Sequence, residues 1–243
     1  MMCKLCRQNK QLIEAHIIPR SLYKPLQDGS GSPRIGSNKP GFYPKRSPIG
    51  VYDKQLICGD CEKFFSPWDD YAQELLLRRL VESNYITSDG EKLAYQVKDV
   101  NYRKLKLFFV SLLWRAAASK QEFFTRIQVG PFEEKLKQMI LNGDPGDPET
   151  FAVCLAKFDD PLGTIMLDPH CERWFGINYC RFYLAGYVTY IKVDKRPPAE
   201  FMDDFILAPN RPLLVILRNL RASKEFQLMK QLVKASFRRS RPN

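Results

Sequence analysis

Cys3-Lys4-Leu5-Cys6 and Cys58-Gly59-Asp60-Cys61 are the two stretches on which the reading of this chain turns. Each CxxC presents two sulfurs from one tight turn, and four thiolates at tetrahedral positions are the ligand set of a structural Zn²⁺. One such pair alone also fits a thiol redox motif, but two of them point to metal. The spacing therefore predicts one Zn²⁺ bound by Cys3, Cys6, Cys58 and Cys61, with no water among its ligands.

The segment between the pairs divides in two. Residues 24–52 read as an inserted loop, with Gly29, Gly31, Gly36, Gly41 and Gly50 alternating with Pro25, Pro33, Pro40, Pro44 and Pro48, and with Arg34, Lys39, Lys45 and Arg46 adding positive charge. Gly29-Ser30-Gly31 has no strand before it or helix after it, so it reads as linker rather than as a phosphate loop. Ahead of the insertion stands Glu14-Ala15-His16-Ile17-Ile18-Pro19-Arg20, and behind it Leu56-Ile57 leads into the second pair, which ends Cys61-Glu62. A helix is expected over residues 67–81, with Pro67 near its first turn and Tyr71, Leu75 and Leu76 on one face.

Composition narrows the functional class. The chain has 243 residues, 44% apolar and 27% charged, and 38 basic against 27 acidic groups give a net charge of +11, which favours polyanionic partners. Residues 218–243 carry Arg218, Arg221, Lys224, Lys230, Lys234, Arg238, Arg239 and Arg241 against the single acid Glu225. The apolar run at residues 107–114 is far short of a bilayer crossing, and the first twenty residues contain no signal-like stretch. No membrane partner is expected, and a cytoplasmic location is. In a reducing compartment clustered thiols hold metal more often than they pair, so Cys154 and Cys180 read as buried core residues and His170-Cys171 as an ordinary loop.

Beyond residue 90, Leu105, Phe108, Phe109, Leu112 and Leu113 mark a core helix over residues 102–119. A second helix carries Phe132, Leu136, Met139 and Ile140 and stops at Gly143-Asp144-Pro145-Gly146-Asp147-Pro148. Short β-branched and aromatic runs at 151–158, 164–167, 178–193 (with a bend at Ala185-Gly186) and 213–217 predict a small, mostly antiparallel sheet. Leu228, Met229, Leu232, Val233 and Phe237 predict an amphipathic closing helix whose other face, with Lys230, Lys234, Arg238 and Arg239, is basic. The expected fold class is α+β: a zinc-bound module at residues 1–85, then a helix-plus-antiparallel-sheet domain at 90–243.

The order Cys3-x-x-Cys6, His16-Ile17-Ile18-Pro19, Cys58-x-x-Cys61-Glu62 resembles the HNH, or His-Me finger, endonucleases, and most closely a branch with His-Ile-Ile-Pro and a second pair ending Cys-Glu. The resemblance covers residues 1 to about 80. It implies two strands and a helix around one divalent cation, and phosphodiester hydrolysis with His16 as the base that takes a proton from water. It maps Glu62 onto the family's last metal-binding position, where a carboxylate suits Mg²⁺ or Mn²⁺, and Asp53 onto the place of the middle Asn. Asp69 and Asp70 are further candidates for the cation, and Glu14, on the same strand face as His16, for orienting the base. Ala15 stands where the family usually has an Asp or His ligand.

The implied partner is nucleic acid, DNA or RNA, with roles in bacterial defence or mobile elements by analogy, and residues 90–243 are a candidate surface for a protein partner. The competing reading is a finger that keeps its zinc and binds nucleic acid or scaffolds a protein without cutting.

Overall fold

The computed structural model describes residues 1–26, 34–36, 45–46, 50–82, 84–160, 166–228 and 230. In chain order the elements are β1 (Ala15–His16), a 3-10 turn at Arg20–Leu26, β2 (Arg34–Gly36), β3 (Lys45–Arg46), β4 (Tyr52–Asp53) and α1 (Gly59–Leu77). A 3-10 turn at Arg79–Glu82 leads to β5 (Asn84–Ser88), β6 (Glu91–Val97), α2 (Tyr102–Ala118) and α3 (Glu133–Asn142). The second half supplies β7 (Val153–Phe158), β8 (Met166–Leu167), β9 (His170–Trp174), β10 (Ile177–Leu184), β11 (Tyr187–Lys192), a 3-10 turn at Glu200–Phe205 and β12 (Leu213–Arg218).

The fold is mixed α+β, built on a seven-stranded sheet of order β5-β6-β12-β7-β11-β10-β9. Every neighbouring pair in it is antiparallel except β12 and β7. Strand alternation divides its two faces. Val153 and Leu155 point into the core shared with α1, α2 and α3. Cys154, Ala156 and Phe158 point to a second layer with Met202, Ile206 and Leu220. The expected bend at Ala185-Gly186 is a full reversal, since φ of +53° and +89° at its two residues makes the tight turn that antiparallel strands prefer.

α2 is the central helix. Asn101 caps it by accepting a hydrogen bond from Lys104 N at 2.9 Å, and all its side chains from Leu105 to Ala116 are buried. A helix buried on every side must be covered on every side, and α1, α3 and the sheet do this. The same apolar core runs from Cys3 to Val215, so residues 1–85 and 90–243 share it.

Three expectations need correction. α1 starts at Gly59 rather than Pro67, because the helix grows directly out of the second CxxC with Cys58 at its N-cap and Asp60 and Glu62 in its first turn, where carboxylates suit the helix dipole. Pro67 sits inside α1 on its exposed side and forfeits one backbone bond there. The β5–β6 hairpin, unmarked by any apolar run, fills the stretch taken as a boundary; its outer strand is largely exposed and so lacks the alternation that betrays a buried strand.

The third correction concerns the thiols: Cys171 is in strand β9, not a loop, and is disulfide-bonded to Cys180, its direct partner across the β9–β10 pair. Cys154 and Cys180 are both buried as expected. Gly29-Ser30-Gly31, most of the basic insertion, and Lys234, Arg238 and Arg239 lie outside the described residues, while residues 224–228 and 230 are helical.

Candidate functional site

The first CxxC is a closed knuckle. Cys3 N donates to Gln8 O and Arg7 N to Cys3 O, both at 2.9 Å, with Arg7 at φ +57° and Met2 bridged to Asn9. The second begins α1 and is bridged to the first half through Leu12 and Cys58. These contacts bring four sulfurs within 4.8 Å of one another. Cys3 Sγ lies 3.6 Å from Cys61 Sγ, and Cys6 Sγ 4.0 Å from Cys58 Sγ. A tetrahedron with Zn–S of about 2.3 Å has S···S edges of about 3.8 Å, so the separations of 3.6 and 4.0 Å suit a metal such as zinc.

The electrostatics of the cluster point the same way. Burial and the three neighbouring thiols push Cys61 far above the usual thiol range. Burial also opposes ionisation of Cys3, but backbone N–H groups of Cys6, Cys58 and Leu5 outweigh it and bring that thiol down to about 7. Thiols this close resist ionising together unless a cation neutralises them. Among the described residues no second group of His, Cys, Asp or Glu side chains is arranged to hold a metal.

Beside this cluster β1 pairs with β4, and α1 follows. His16 is opposite Tyr52, with ring centroids 6.2 Å apart, and Ala15 is opposite Asp53. Successive strand residues face opposite ways, so Ala15 and Asp53 share the inward face and His16 and Tyr52 the other. Asp53 therefore does not join His16. Only 2% exposed, it accepts hydrogen bonds from Gln55 N at 2.8 Å, Ser119 Oγ at 2.8 Å and Lys120 N at 3.2 Å. Burial works against its charge, but these donors and the Lys4 ammonium hold its carboxyl below the usual range. Its place is to fasten the end of α2 to the hairpin.

Glu62, one residue after the last cysteine, keeps one buried carboxylate oxygen with no hydrogen-bond partner. Burial raises its pKa, the Arg115 guanidinium partly offsets this, and Asp69 adds to it. Asp69 is committed elsewhere, for Arg115 grips both its oxygens at 2.8 and 2.9 Å. Glu14 is exposed and paired with Lys54 at 2.6 Å. Asp70 is exposed on α1.

Arg115 is the residue that sequence reasoning missed. It is fully buried in α2, donates to the His16 carbonyl at 3.2 Å, bonds Ser111, and lies 4.8 Å over the Phe65 ring. Its five N–H groups can all be used in this way, and its charge is also felt by Glu62. A guanidinium in the otherwise apolar Leu112-Leu113-Trp114-Arg115-Ala116 run was the available signal. Of the candidate residues, the structure gathers the main chain of His16, Glu62 and Asp69 around Arg115, and sets Asp53 and Glu14 apart. No family model, curated protein or solved structure matches this chain.

Proposed function

We propose that this protein is a metal-dependent endonuclease that hydrolyses phosphodiester bonds in nucleic acid, DNA in the first place, with His16 as the general base. The observation that carries the reading is the layout of β1, β4 and α1: an imidazole on the outward face of a two-strand pair, beside a helix whose first turn holds Glu62 with an unbonded carboxylate oxygen. Zinc at the four cysteines has a structural part only, fixing the knuckle and the start of α1.

In this reading His16 takes a proton from the water whose oxygen attacks phosphorus. The new P–O bond forms as the bond to the departing sugar oxygen breaks, and that oxygen takes up a proton from solvent water. Glu62 is the candidate carboxylate left available for Mg²⁺ or Mn²⁺, which when bound supplies positive charge to the phosphate and the leaving oxygen. Arg115 and Asp69 keep the His16 main chain and α1 in place.

One observation favours a second reading. Asp53 and Asp69 are both consumed by structural contacts and Ala15 cannot ligate, which leaves a thin ligand set for a catalytic cation and suits a finger that binds nucleic acid or a protein without cutting. Incubating plasmid, single-stranded DNA and RNA with the protein and its His16→Ala variant, in Mg²⁺, Mn²⁺ or EDTA, separates the two. Cation-dependent cleavage lost in the variant supports the nuclease; tight binding without cleavage of any substrate supports the binding module.

A further inference from the structure

On the helix-covered face of the sheet, cross-strand register sets Tyr85 opposite Tyr95 and Lys157 opposite Tyr187. Val215 joins the two pairs as the partner of both Tyr95 and Leu155, and Lys157, two residues on from Leu155, shares its face. A bulge adds Lys92: Ile86 pairs with Ala94 but Thr87 pairs with Lys92, so Leu93 is the extra residue and Lys92 turns to the face that Tyr95 occupies. The Tyr187 hydroxyl donates to the Leu76 carbonyl at 2.8 Å, at the opposite end of α1 from Cys61 and about 22 Å along the helix from it. We propose that this cluster binds one phosphate group between the ammonium groups of Lys92 and Lys157, carried either by a nucleic-acid strand or by a small phosphate.

Lys157 is partly buried, yet among the described residues it makes no hydrogen bond and no ion pair. Its ammonium lies 5.0 Å from the centroid of the Tyr95 ring and 5.3 Å from that of Tyr187. Lys92 is exposed and stands 3.8 Å over the Tyr85 ring. Aromatic faces attract an ammonium through their π charge and use none of its three N–H donors. The rings thus fix two cations in place with their hydrogen bonds still to be made. Burial lowers the Lys157 amine, and what works against this is the Tyr85 phenol rather than a carboxylate. The acids of the β5–β6 turn, Asp89 and Glu91, form no ion pair with either lysine among the described residues.

Tyr85 and Tyr95 complete the donor set. Their ring centroids are 4.6 Å apart and their hydroxyls bond each other at 3.2 Å. One hydrogen bond between two hydroxyls leaves one O–H to give. The bond with Tyr95 lowers the Tyr85 phenol, burial works against this, and Lys92 and Lys157 add to the lowering, so the fields of both ammonium groups meet at one hydroxyl. Two such charges beside a hydroxyl suit an oxyanion with several acceptor oxygens, and lysine serves phosphate as a point charge. β5 is an exposed edge strand, which leaves the cluster open to a polymer as well as to a small ion. The chain's net charge of +11 favours the polymer.

The test is equilibrium binding to the zinc-loaded full chain without Mg²⁺ or Mn²⁺, of a fluorescent single-stranded oligonucleotide by anisotropy over a salt series and of inorganic phosphate by calorimetry. Lys92→Met and Lys157→Met should each raise Kd about tenfold for the probe that uses the site. If that probe is the oligonucleotide, the slope of log K against log salt should also fall by about 0.7, the value for one phosphate of a single strand. If only inorganic phosphate responds, the ligand is a small phosphate. Lys135→Met, the same change of charge on the exposed side of α3, should leave both probes unaffected, and Tyr95→Phe, which keeps the ring, should give a smaller rise in Kd. Lys92 is exposed, so Lys92→Met keeps the test decisive should Lys157→Met fail to fold. Binding is read without cleavage, so failure of the nuclease reading and failure of this site are seen separately. The proposal is overturned if neither probe binds, if Lys92→Met binds both as the parent does, or if Lys135→Met loses as much affinity.

Discussion

Arg115 and Asp69 form a bidentate ion pair across α2 and α1, at 2.8 and 2.9 Å, with the guanidinium fully buried and the carboxylate 16% exposed. The same guanidinium reaches the His16 carbonyl, so one side chain from the centre of the chain ties β1 to both helices. Breaking a buried pair by deleting one partner leaves an uncompensated charge and costs about 3–5 kcal/mol. Asp69→Ala should fall at the lower end, near 3 kcal/mol by this range, because the carboxylate is partly wet. For a chain of this size that is a drop in Tm of roughly 6–12 °C. Calorimetric scans of the variant and parent check it, and a change within 1 °C would remove Arg115 from the account of how the hairpin is held.

Zinc is expected at one ion per chain in protein purified without chelator, measured by elemental analysis. Structural sites of this type are worth roughly 10–16 kcal/mol of apparent binding energy, far more than the core of residues 1–80 can replace. Cys58→Ser, or excess chelator, should therefore unfold that region, read as loss of protection from hydrogen exchange in β1, β4 and the start of α1. An unchanged melting curve for Cys58→Ser would sink the zinc assignment.

Asp53 gives a pH signature with a definite sign. Its native carboxyl titrates below the unfolded value of about 3.9, so its stabilising contribution is fully present above that value and is lost as pH falls through the lowered native one. Asp53→Asn keeps the shape and removes the charge. The difference in unfolding free energy between parent and variant, about 1–3 kcal/mol for a buried hydrogen-bonded group, should be constant above pH 5 and shrink steadily below pH 4. A difference that persists undiminished in acid would mean that the Asp53 charge is not what holds Ser119 and Lys120.

His16→Ala is expected to bind nucleic acid normally and to cut about 10² to 10⁴ more slowly, the usual range for a lost general base. Glu62→Ala should also bind normally while needing more Mg²⁺ to reach half its maximal rate. Gel-shift and single-turnover cleavage assays on the same substrate measure both. Wild-type rates in His16→Ala would take the chemistry away from this hairpin.

The sequence by itself determined the features whose residues are close together or periodic. Two CxxC turns specify a metal ligand set because each turn is a local geometry, and the apolar spacing in α2 and α3 specifies helices because the period belongs to the helix itself. Ala185-Gly186 marked a reversal for the same local reason. The β5–β6 hairpin escaped because an exposed edge strand carries no apolar alternation, and Cys171 escaped because its partner is fixed by the register of β9 on β10, which no spacing encodes.

Only the tertiary structure decided which carboxylates remain available. Asp53, and Asp69 as a further candidate, stood beside Glu62 in the sequence reading, but Ser119 lies 66 residues from the first and Arg115 46 residues from the second, and each occupies its partner's oxygens. Hydrogen bonds and charge pairs act over a few ångströms of space and are indifferent to distance along the chain, so they can be assigned only after the fold has brought their partners together.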